Sequence, residues 1–281
     1  QVAFDATGTI TCVGCKCATG AETTITCPQG VVSPGLINAH DHITYAQNSP
    51  AADSGERYEH RHDWRTGLRG HNAIDVPGGA SNDAISFGEL RFLFGGATSI
   101  NGSGGRPGLT RNLDRDTLLE GLAQTPIYYQ TFPLADSGQS TQRRSTCNYG
   151  AGDTSQDIAT EEAYTPHISE GIDQASRNEF LCASSETYDT ATPGLSTDLI
   201  APQTAVIHGT ALLAPDFALM TKRNAALIWS ARTNIVLYGD TAQIPVAKRL
   251  GVEVALGTDW IASGSTNMLR ELQCASALNR D

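Results

Sequence analysis

Short apolar runs alternate with longer amphipathic stretches along most of this chain. Seven runs have the length and the β-branched content typical of strands, and they cover residues 31–38, 97–100, 127–132, 164–169, 204–208, 226–230 and 252–257. Helical patterns lie between them, at residues 84–94, 115–122, 172–181, 215–223 and 241–250. This alternation predicts an α/β fold with a parallel sheet and outer helices, and seven strands predict a barrel that is nearly complete.

Two regions depart from this pattern. Residues 1–30 are rich in Thr, Gly, Cys and Val and predict a small β element that begins in mid-structure. Residues 134–162 are polar and rich in Ser, Thr, Gly and Gln, which predicts a long loop. We therefore expect residues 1–30 to form a separate segment and residues 31–281 to form the α/β domain.

The composition narrows the class of partner. Hydrophobic residues make up 40% and charged residues 17% of the 281 residues, as in globular proteins. Nineteen basic against 30 acidic residues give a net charge of −11, which argues against nucleic acid or an anionic membrane surface. No apolar run is long enough to predict a membrane span, and no leader pattern opens the chain, so we expect any signal peptide to have been removed. A small molecule is the expected partner, and a homo-oligomer remains open.

Seven cysteines suggest either a metal knot or disulfides. Cys12, Cys15 and Cys17 crowd into TCVGCKC, with Cys27 close behind. Zinc could bind such a cluster, but no second C-x-x-C pair completes a closed site, so disulfides are favoured. Residues 147 and 182 are both cysteines and could form another bridge. Disulfides indicate an oxidising compartment, and we expect an extracytoplasmic protein, periplasmic or secreted.

Histidines and one aspartate follow the predicted strands. His40 and His42 end the run VVSPGLINAHDH, and alternation along a strand places both side chains on one face. His167 lies in YTPHIS, His208 ends TAVIH, and Asp259 follows VEVALGT. Since barrel enzymes place their chemistry at the carboxyl ends of strands, these residues predict a metal site. Three histidines (40, 42 and 167) with Asp259 would hold the ion and leave a position for an activated water.

A second H-x-H motif, at His60 and His62, has a different context. Its neighbours in RYEHRHDWR are charged and no apolar strand precedes it. We expect a solvated loop there, with substrate contact as the alternative, and His71 is no stronger a candidate for the site.

Four sequence stretches, in order, resemble the amidohydrolase superfamily: PGLINAHDH, PHISEG, VIHG and ALGTDWIASGSTNMLRE. The chain is most similar to the chlorohydrolase and deaminase branch, which includes triazine hydrolases and cytosine or guanine deaminase-like enzymes. The resemblance runs over residues 2–279. It implies a distorted (β/α)8 TIM barrel with a small β-sandwich built from both chain termini. Residues 1–30 would be part of that sandwich, and residues 31–281 the barrel, lacking its C-terminal sandwich portion.

The resemblance also implies roles for individual residues. His40 and His42 match the first-strand metal ligands, His167 the fifth-strand ligand and Asp259 the eighth-strand ligand. Glu170 matches a glutamate that carries protons to the leaving group, and His208 a histidine that contacts the attacking water or the substrate. Weaker candidates for substrate contact are Trp229, Asn234, Trp260 and Ser263.

The lysine content bears on the number of metal ions. Many superfamily members hold two ions bridged by a modified lysine on the fourth strand. This chain has only Lys16, Lys222 and Lys248, and none lies between the first-strand histidines and His167. We therefore expect one divalent ion, with zinc ahead of iron for a His3Asp set.

These expectations describe a metal-dependent hydrolase that cleaves a carbon–nitrogen bond other than a peptide bond. Asp259 or His208 would take a proton from water, and Glu170 would give one to the departing amine. The substrate would be an amide, a cyclic amide or an amino-heterocycle, so amidase and deaminase both remain open. The alternative is a non-catalytic secreted binding protein with a structural metal site. Glu170 and His208 favour the enzyme, because a structural site needs no proton carrier.

Overall fold

The computed structural model describes residues 1–17, 20, 23, 25–26, 28–137, 142–189 and 195–278. The chain divides into two compact units, Gln1–Gly35 and Leu36–Asp281. In the first unit, strands β1 (Val2–Phe4) and β2 (Ile10–Val13) pair antiparallel. A disulfide joins Cys12 to Cys17, which confirms the disulfide interpretation for these two residues; Cys27 lies outside the described residues.

The described residues of the second unit form eight strands, and all of the pairings between these strands are parallel. They are β3 (Leu36–Asn38), β4 (Ala97–Ile100), β5 (Arg111–Asn112), β6 (Tyr128–Gln130), β7 (Tyr164–Ile168), β8 (Ala205–His208), β9 (Ala226–Trp229) and β10 (Val254–Leu256). One sheet has the order β3-β4-β5, and the other has the order β6-β7-β8-β9-β10. The predicted α/β class is confirmed.

Backbone hydrogen bonds connect the two sheets at both of their edges. The N–H of Ile127, just before β6, donates to the carbonyl of Leu113 after β5, at 2.8 Å. At the other edge, the N–H of Ala39 donates to Leu256 at 3.1 Å, and the N–H of Asp259 donates to His40 at 3.0 Å. The carboxyl ends of β3 and β10 are therefore neighbours.

Seven helices accompany these strands in the described part of the chain. They are α1 (Arg61–Thr66), α2 (Asn82–Phe94), α3 (Gln174–Cys182), α4 (Ala214–Lys222), α5 (Ala231–Tyr238), α6 (Ile244–Leu250) and α7 (Met268–Leu278). Local chemistry sets several ends: Ser81 caps α2, Asp173 caps α3, and α5 ends at a left-handed Gly239. No helix among the described residues has both the length and the apolar character to cross a membrane.

All seven predicted strands are present, most of them shortened at one or both ends. One further strand, β5, was not predicted, because it has only two residues, Arg111 and Asn112, and no apolar run marks it. The predicted helix at residues 115–122 is wrong: only a single 3-10 turn forms, at Asp116–Leu118. Glu120 and Gly121 both take positive φ values, 49° and 82°, which end any helix there.

The connections differ around the sheet. Each of β7, β8, β9 and β10 is followed by a helix, whereas no α-helix lies between β4 and β7 among the described residues. The predicted loop at residues 134–162 contains no helix or strand in its described part. A disulfide between Cys147 and Cys182 ties this loop to α3, and the prediction of that bridge is confirmed.

Candidate metal centre and cavity

Five polar side chains meet at the carboxyl ends of four strands. His40 and His42 follow β3, His167 lies in β7, His208 ends β8, and Asp259 follows β10. His42 is half-buried and the other four are buried. Ligand atoms of His40, His42 and His167 lie within 4.8 Å of one another, and so do those of His40, His208 and Asp259. The structure thus brings together all the residues predicted to hold the metal.

The hydrogen bonds of His167 prepare one nitrogen for a ligand role. Its Nδ1 lies 3.1 Å from the backbone carbonyl of Gln130, so Nδ1–H donates and Nε2 keeps its lone pair. Nε2 is buried and has no hydrogen-bond partner among the described residues. Burial lowers the pKa of His167 well below its ordinary value and that of His42 to about 4. Neutral imidazoles with free lone pairs are the form that binds metal.

Asp259 supplies the anionic member of the cluster. Its Oδ1 lies 3.1 Å from Nε2 of His40 and 3.4 Å from Nε2 of His42. Burial opposes ionisation, but the hydrogen bond with His40 and the electrostatic attraction of His40 hold the pKa of Asp259 below its usual range. A carboxylate among imidazoles is a donor set suited to zinc or iron. The residues present therefore fit a divalent ion.

The backbone is adapted to bring these side chains together. A Cβ on Gly257 would lie 2.5 Å from the Cβ of His40, so only glycine allows the close approach of β10 to β3. His208 and Asp259 have φ values of 72° and 56°, in the left-handed region that non-glycine residues rarely adopt. Such strain is typical of functional sites.

Glu170 and His208 face each other beside the metal cluster. Nε2 of His208 lies 3.7 Å from Oε2 of Glu170. The hydroxyl of Tyr238 donates to Oε1 of Glu170 at 2.8 Å, and Nε1–H of Trp64 donates to the Tyr238 oxygen at 2.9 Å. On the other side, Nδ1 of His208 lies 3.2 Å from Oδ1 of Asn234. Each of these two side chains thus has one end fixed and the other directed to its neighbour.

A cavity of about 420 Å³ opens above this cluster. Its floor includes His42, His167, His208, Asp259 and Glu170. Aromatic and basic side chains are prominent in the walls: Tyr45, Arg61, Trp64, Arg65, Phe132 and Trp260. Trp260 packs against Trp64 with ring centroids 5.0 Å apart and against Tyr45 at 5.8 Å. Of the four substrate-contact candidates, only Trp260 lines the cavity.

The other three candidates lie behind the cavity wall. Trp229 is buried in the core, and its indole donates to the Thr241 hydroxyl at 2.6 Å. Asn234 contacts His208 rather than the cavity. Ser263 accepts a hydrogen bond from Trp260 Nε1 at 2.6 Å. The substrate-contact prediction is corrected for these residues, because the first packs in the core and the other two hold cavity residues in position.

The prediction of a solvated loop at the second H-x-H motif is wrong. His60 and His62 are buried at the start of α1. Nε2 of His62 lies 2.7 Å from Asp136, and Nε2 of His60 lies 3.1 Å from Glu179. Arg61, one of the charged residues that suggested solvent exposure, forms an ion pair with Asp136 inside the protein.

Sequence reasoning also missed several cavity residues, above all Arg61, Trp64 and Arg65. Their spacing of three and four places them on one face of a helix, which was the available signal. Tyr129 on β6 also lies close to the cluster, and its hydroxyl is 3.3 Å from Nδ1 of His42.

Two curated relatives match part of the chain, whereas no family model does. A 5-methylthioadenosine/S-adenosylhomocysteine deaminase of Teredinibacter turnerae is 36% identical over 83 residues, covering 29% of this chain and 19% of that protein. An enzyme with the same name from Pyrococcus furiosus is 36% identical over 74 residues, covering 26% and 18%. Both matches agree with the resemblance to the deaminases of the amidohydrolase superfamily, over about a fifth of each relative's length.

Solved structures similar to this amidohydrolase-like chain cover more of its length. Helicobacter pylori aminofutalosine deaminase is 16% identical, with 86% of this chain and 67% of that chain covered and a TM-score of 0.46. A zinc-bound adenosine deaminase from Xanthomonas campestris is 15% identical, with 88% and 62% covered and a TM-score of 0.46. A zinc complex of atrazine chlorohydrolase from Arthrobacter aurescens is 14% identical, with 83% and 61% covered and a TM-score of 0.46.

Proposed function

We propose that this chain is a divalent-metal-dependent hydrolase that cleaves a carbon–nitrogen bond of a small molecule and releases ammonia or an amine. The observation that carries the proposal is the cluster of buried imidazoles and one carboxylate at the floor of a cavity, with Glu170 and His208 beside it. The curated relatives are named as deaminases, which favours an amino-heterocycle over an amide as the substrate.

In this proposal, His40, His42, His167 and Asp259 hold one ion, with zinc first and iron second. When bound, such an ion acts as a Lewis acid and lowers the pKa of water to near neutrality. The free Nε2 of His167, fixed by the bond from Nδ1 to Gln130, supports this assignment. Strand β6 (Tyr128–Gln130) contains no lysine that could bridge two ions, which agrees with a single ion.

Glu170 is the proposed proton carrier. Its Oε1 accepts the Tyr238 hydroxyl, so Oε2 is the oxygen left to exchange protons with water and with the departing amine. His208 presents Nε2 on the Glu170 side, because Nδ1 is occupied by Asn234. There it can hydrogen-bond the oxygen that adds to the substrate carbon. Asp259, kept ionised by its neighbours, is the second group able to accept a proton.

For the fold, we propose that β3 to β10 form a (β/α)8 barrel with abbreviated connections after the second, third and fourth strands. The hydrogen bonds at both sheet edges support this arrangement. In the resulting order, His167 is on the fifth strand, His208 on the sixth and Asp259 after the eighth, as the resemblance implies. Residues 1–30 remain a proposed part of a β-sandwich.

Metal content and ammonia release test the proposed function together. We expect about one zinc or iron per chain by plasma emission spectrometry, loss of that ion in His167→Ala, and retention in Asp75→Ala. Asp75 is a suitable control because it is exposed and belongs to none of the groups of described side chains that could hold a metal. Ammonia release from a panel of amino-heterocycles should disappear in His167→Ala and in Glu170→Gln. An ion retained in wild type without turnover of any amine or amide would favour the non-catalytic alternative.

We further propose an extracytoplasmic location, supported by the Cys12–Cys17 and Cys147–Cys182 disulfides. Thiol labelling of denatured native protein, with and without reductant, tests it. At least four of the seven cysteines should require reductant to react. Full labelling without reductant, in protein isolated under thiol-blocking conditions, would contradict the proposal.

A further inference from the structure

Arg65 is a cavity residue without a carboxylate partner among the described residues. It lies on the face of α1 that lines the cavity and is half-buried. Nη1 is 2.8 Å from Nδ1 of His62, and Nη2 donates to the carbonyl of Ser137 at 3.2 Å. The guanidinium also lies over the Phe132 ring, 4.4 Å from its centroid. These contacts orient the guanidinium but do not neutralise it.

The neighbouring arginine shows the contrast. Arg61, one helical turn earlier, is buried and lies 2.7 Å from Asp136 and 3.4 Å from Glu179. His62 also uses Asp136, through Nε2, so its Nδ1 is an acceptor for the Arg65 N–H. The local carboxylates are therefore directed to Arg61 and the histidines. Burial and the charge of Arg61 lower the pKa of Arg65 against the electrostatic attraction of Glu170 and Asp136, neither of which forms an ion pair with Arg65.

The surrounding wall indicates the shape of the missing partner. Trp64, Trp260 and Tyr45 form a contiguous aromatic surface in the same cavity, and Phe132 lies beneath Arg65. Flat aromatic walls bind planar rings, and a half-buried guanidinium binds a carboxylate with two parallel hydrogen bonds. A single unpaired arginine matches one negative charge. A phosphate would bring nearly two charges into a cavity that already holds Glu170 and Asp259.

We propose that the substrate is a planar heteroaromatic amine that carries a carboxylate, and that Arg65 is the residue that selects this carboxylate. This inference rests on the proposed function and names its substrate class. The ring would lie along Trp64 and Trp260, with the amino-bearing carbon toward the metal cluster and the carboxylate toward α1. Arg65 acts in binding and takes no part in proton transfer.

Binding of a matched pair of probes tests this inference without any turnover. Nicotinate and nicotinamide share a planar ring and differ mainly in charge. By isothermal titration calorimetry on metal-replete protein, we expect nicotinate to bind at least tenfold more tightly than nicotinamide. The Arg65→Met variant should bind the two probes about equally. Arg65→Lys keeps the positive charge but not the planar guanidinium, so it should retain part of the preference.

Arg270→Met is the matched control, because Arg270 is exposed on α7 and its described side-chain partner is Gln273. This variant also loses one positive charge but should keep the full preference for nicotinate. A preference that survives Arg65→Met would assign the anion to the metal instead and overturn the inference. Equal binding of both probes by wild type would overturn it as well, even if Arg65→Met failed to fold. Either result leaves ammonia release from uncharged amines intact, so the failure of this inference is distinguishable from the failure of the proposed function.

Discussion

At the scale of single residues, the carboxylate of Glu170 has two ends with different environments. Tyr238 holds Oε1, and the indole of Trp64 in turn holds the Tyr238 oxygen. Trp64 also forms part of the cavity wall. The Tyr238 hydroxyl therefore links this wall to Glu170, the proposed proton carrier. Burial and the charge of Glu170 raise the pKa of Tyr238 well above its ordinary value, so the phenol remains a hydrogen-bond donor.

Tyr238→Phe should therefore slow the reaction more than it weakens binding. Loss of one hydrogen bond to a charged group corresponds to about 1.5–3 kcal/mol, so we expect kcat to fall roughly 10- to 100-fold while KM changes about twofold or less. Steady-state kinetics of ammonia release measure both constants. Tyr58→Phe is the control: Tyr58 packs in the same small cluster as Tyr238, but its hydroxyl donates to the backbone of Asn72. Equal losses in the two variants would contradict a role for Tyr238 in positioning Glu170.

At the same scale, the success of sequence reasoning depended on where each side chain lies. His40, His167 and Asp259 each follow or end an apolar run, so strand periodicity alone placed them at one edge of the sheet. Arg65 and His62 could not be placed in this way, because their surroundings include residues about seventy positions away, such as Asp136 and Ser137. A cluster of charges in a sequence resembles a solvated surface until its tertiary partners are known.

At the scale of elements, the start of α1 is joined to the connection between β7 and α3. The N–H of Arg61 donates to the carbonyl of Glu170 at 3.0 Å, and the backbones of His60 and Gly171 pair as an isolated antiparallel β-bridge. Gly171 has a φ of 148°, and a Cβ there would overlap the Ser176 hydroxyl and the Glu59 carbonyl. This junction fixes Glu170 relative to the residues of α1 in the cavity wall.

Gly171→Ala should consequently destabilise the protein by about 3 kcal/mol or more, through backbone strain and steric overlap together. Gly79→Ala is matched to it, because Gly79 also has a positive φ, 79°, but has open space where a Cβ would stand. For that variant we expect a loss of about 1–2 kcal/mol. Urea unfolding followed by circular dichroism gives both free energies. Similar losses of unfolding free energy in the two variants would show that the structure around Gly171 accommodates a methyl group at little cost.

Helices and strands could be predicted from the sequence where they are long enough to show a periodic pattern of hydrophobic residues. All seven apolar runs became strands, but β5 pairs through only Arg111 and Asn112 and has no pattern to detect. The helix expected at residues 115–122 is interrupted at Glu120 and Gly121, which both take positive φ values. Short helices such as α1, in which charged residues are buried by tertiary partners, lack the apolar stripe that normally marks the buried face of a helix.

At the scale of the whole molecule, buried ion pairs connect segments that are far apart in sequence. Asp136, in the loop after β6, contacts both Arg61 and His62 in α1. Burial opposes its ionisation, but the charge of Arg61 and the hydrogen bond from His62 lower the pKa of Asp136 below its ordinary value. A carboxyl with a lowered folded-state pKa stabilises the protein above its unfolded-state pKa, near 3.9, and this stabilisation is lost as the pH falls toward the folded-state pKa.

Asp136→Asn is therefore expected to cost about 3 kcal/mol of unfolding free energy at pH 7, where the carboxylate is fully ionised. The difference from wild type should shrink progressively as the pH is lowered below about 4. Urea unfolding at pH 7, 5 and 3 measures the difference directly. Asp75→Asn, at an exposed position, should stay within about 0.5 kcal/mol of wild type throughout. A difference that does not depend on pH would show that Asp136 acts through packing rather than charge.

The contact between His40 and Asp259 joins residues 219 positions apart and brings together the ends of the first and last strands of the second unit. An ion held by both would work as a clasp on the whole sheet, since its binding free energy is available only when that edge is closed. Chelation should then lower Tm by several degrees in scanning calorimetry, an effect absent from protein already lacking the ion, such as His167→Ala. An unchanged Tm after verified metal removal would show that the edge closes unaided. If the ion stabilises the fold in this way, substitutions at its ligands would reduce the cellular abundance of the protein as well as its activity. A single substitution would then cause both losses.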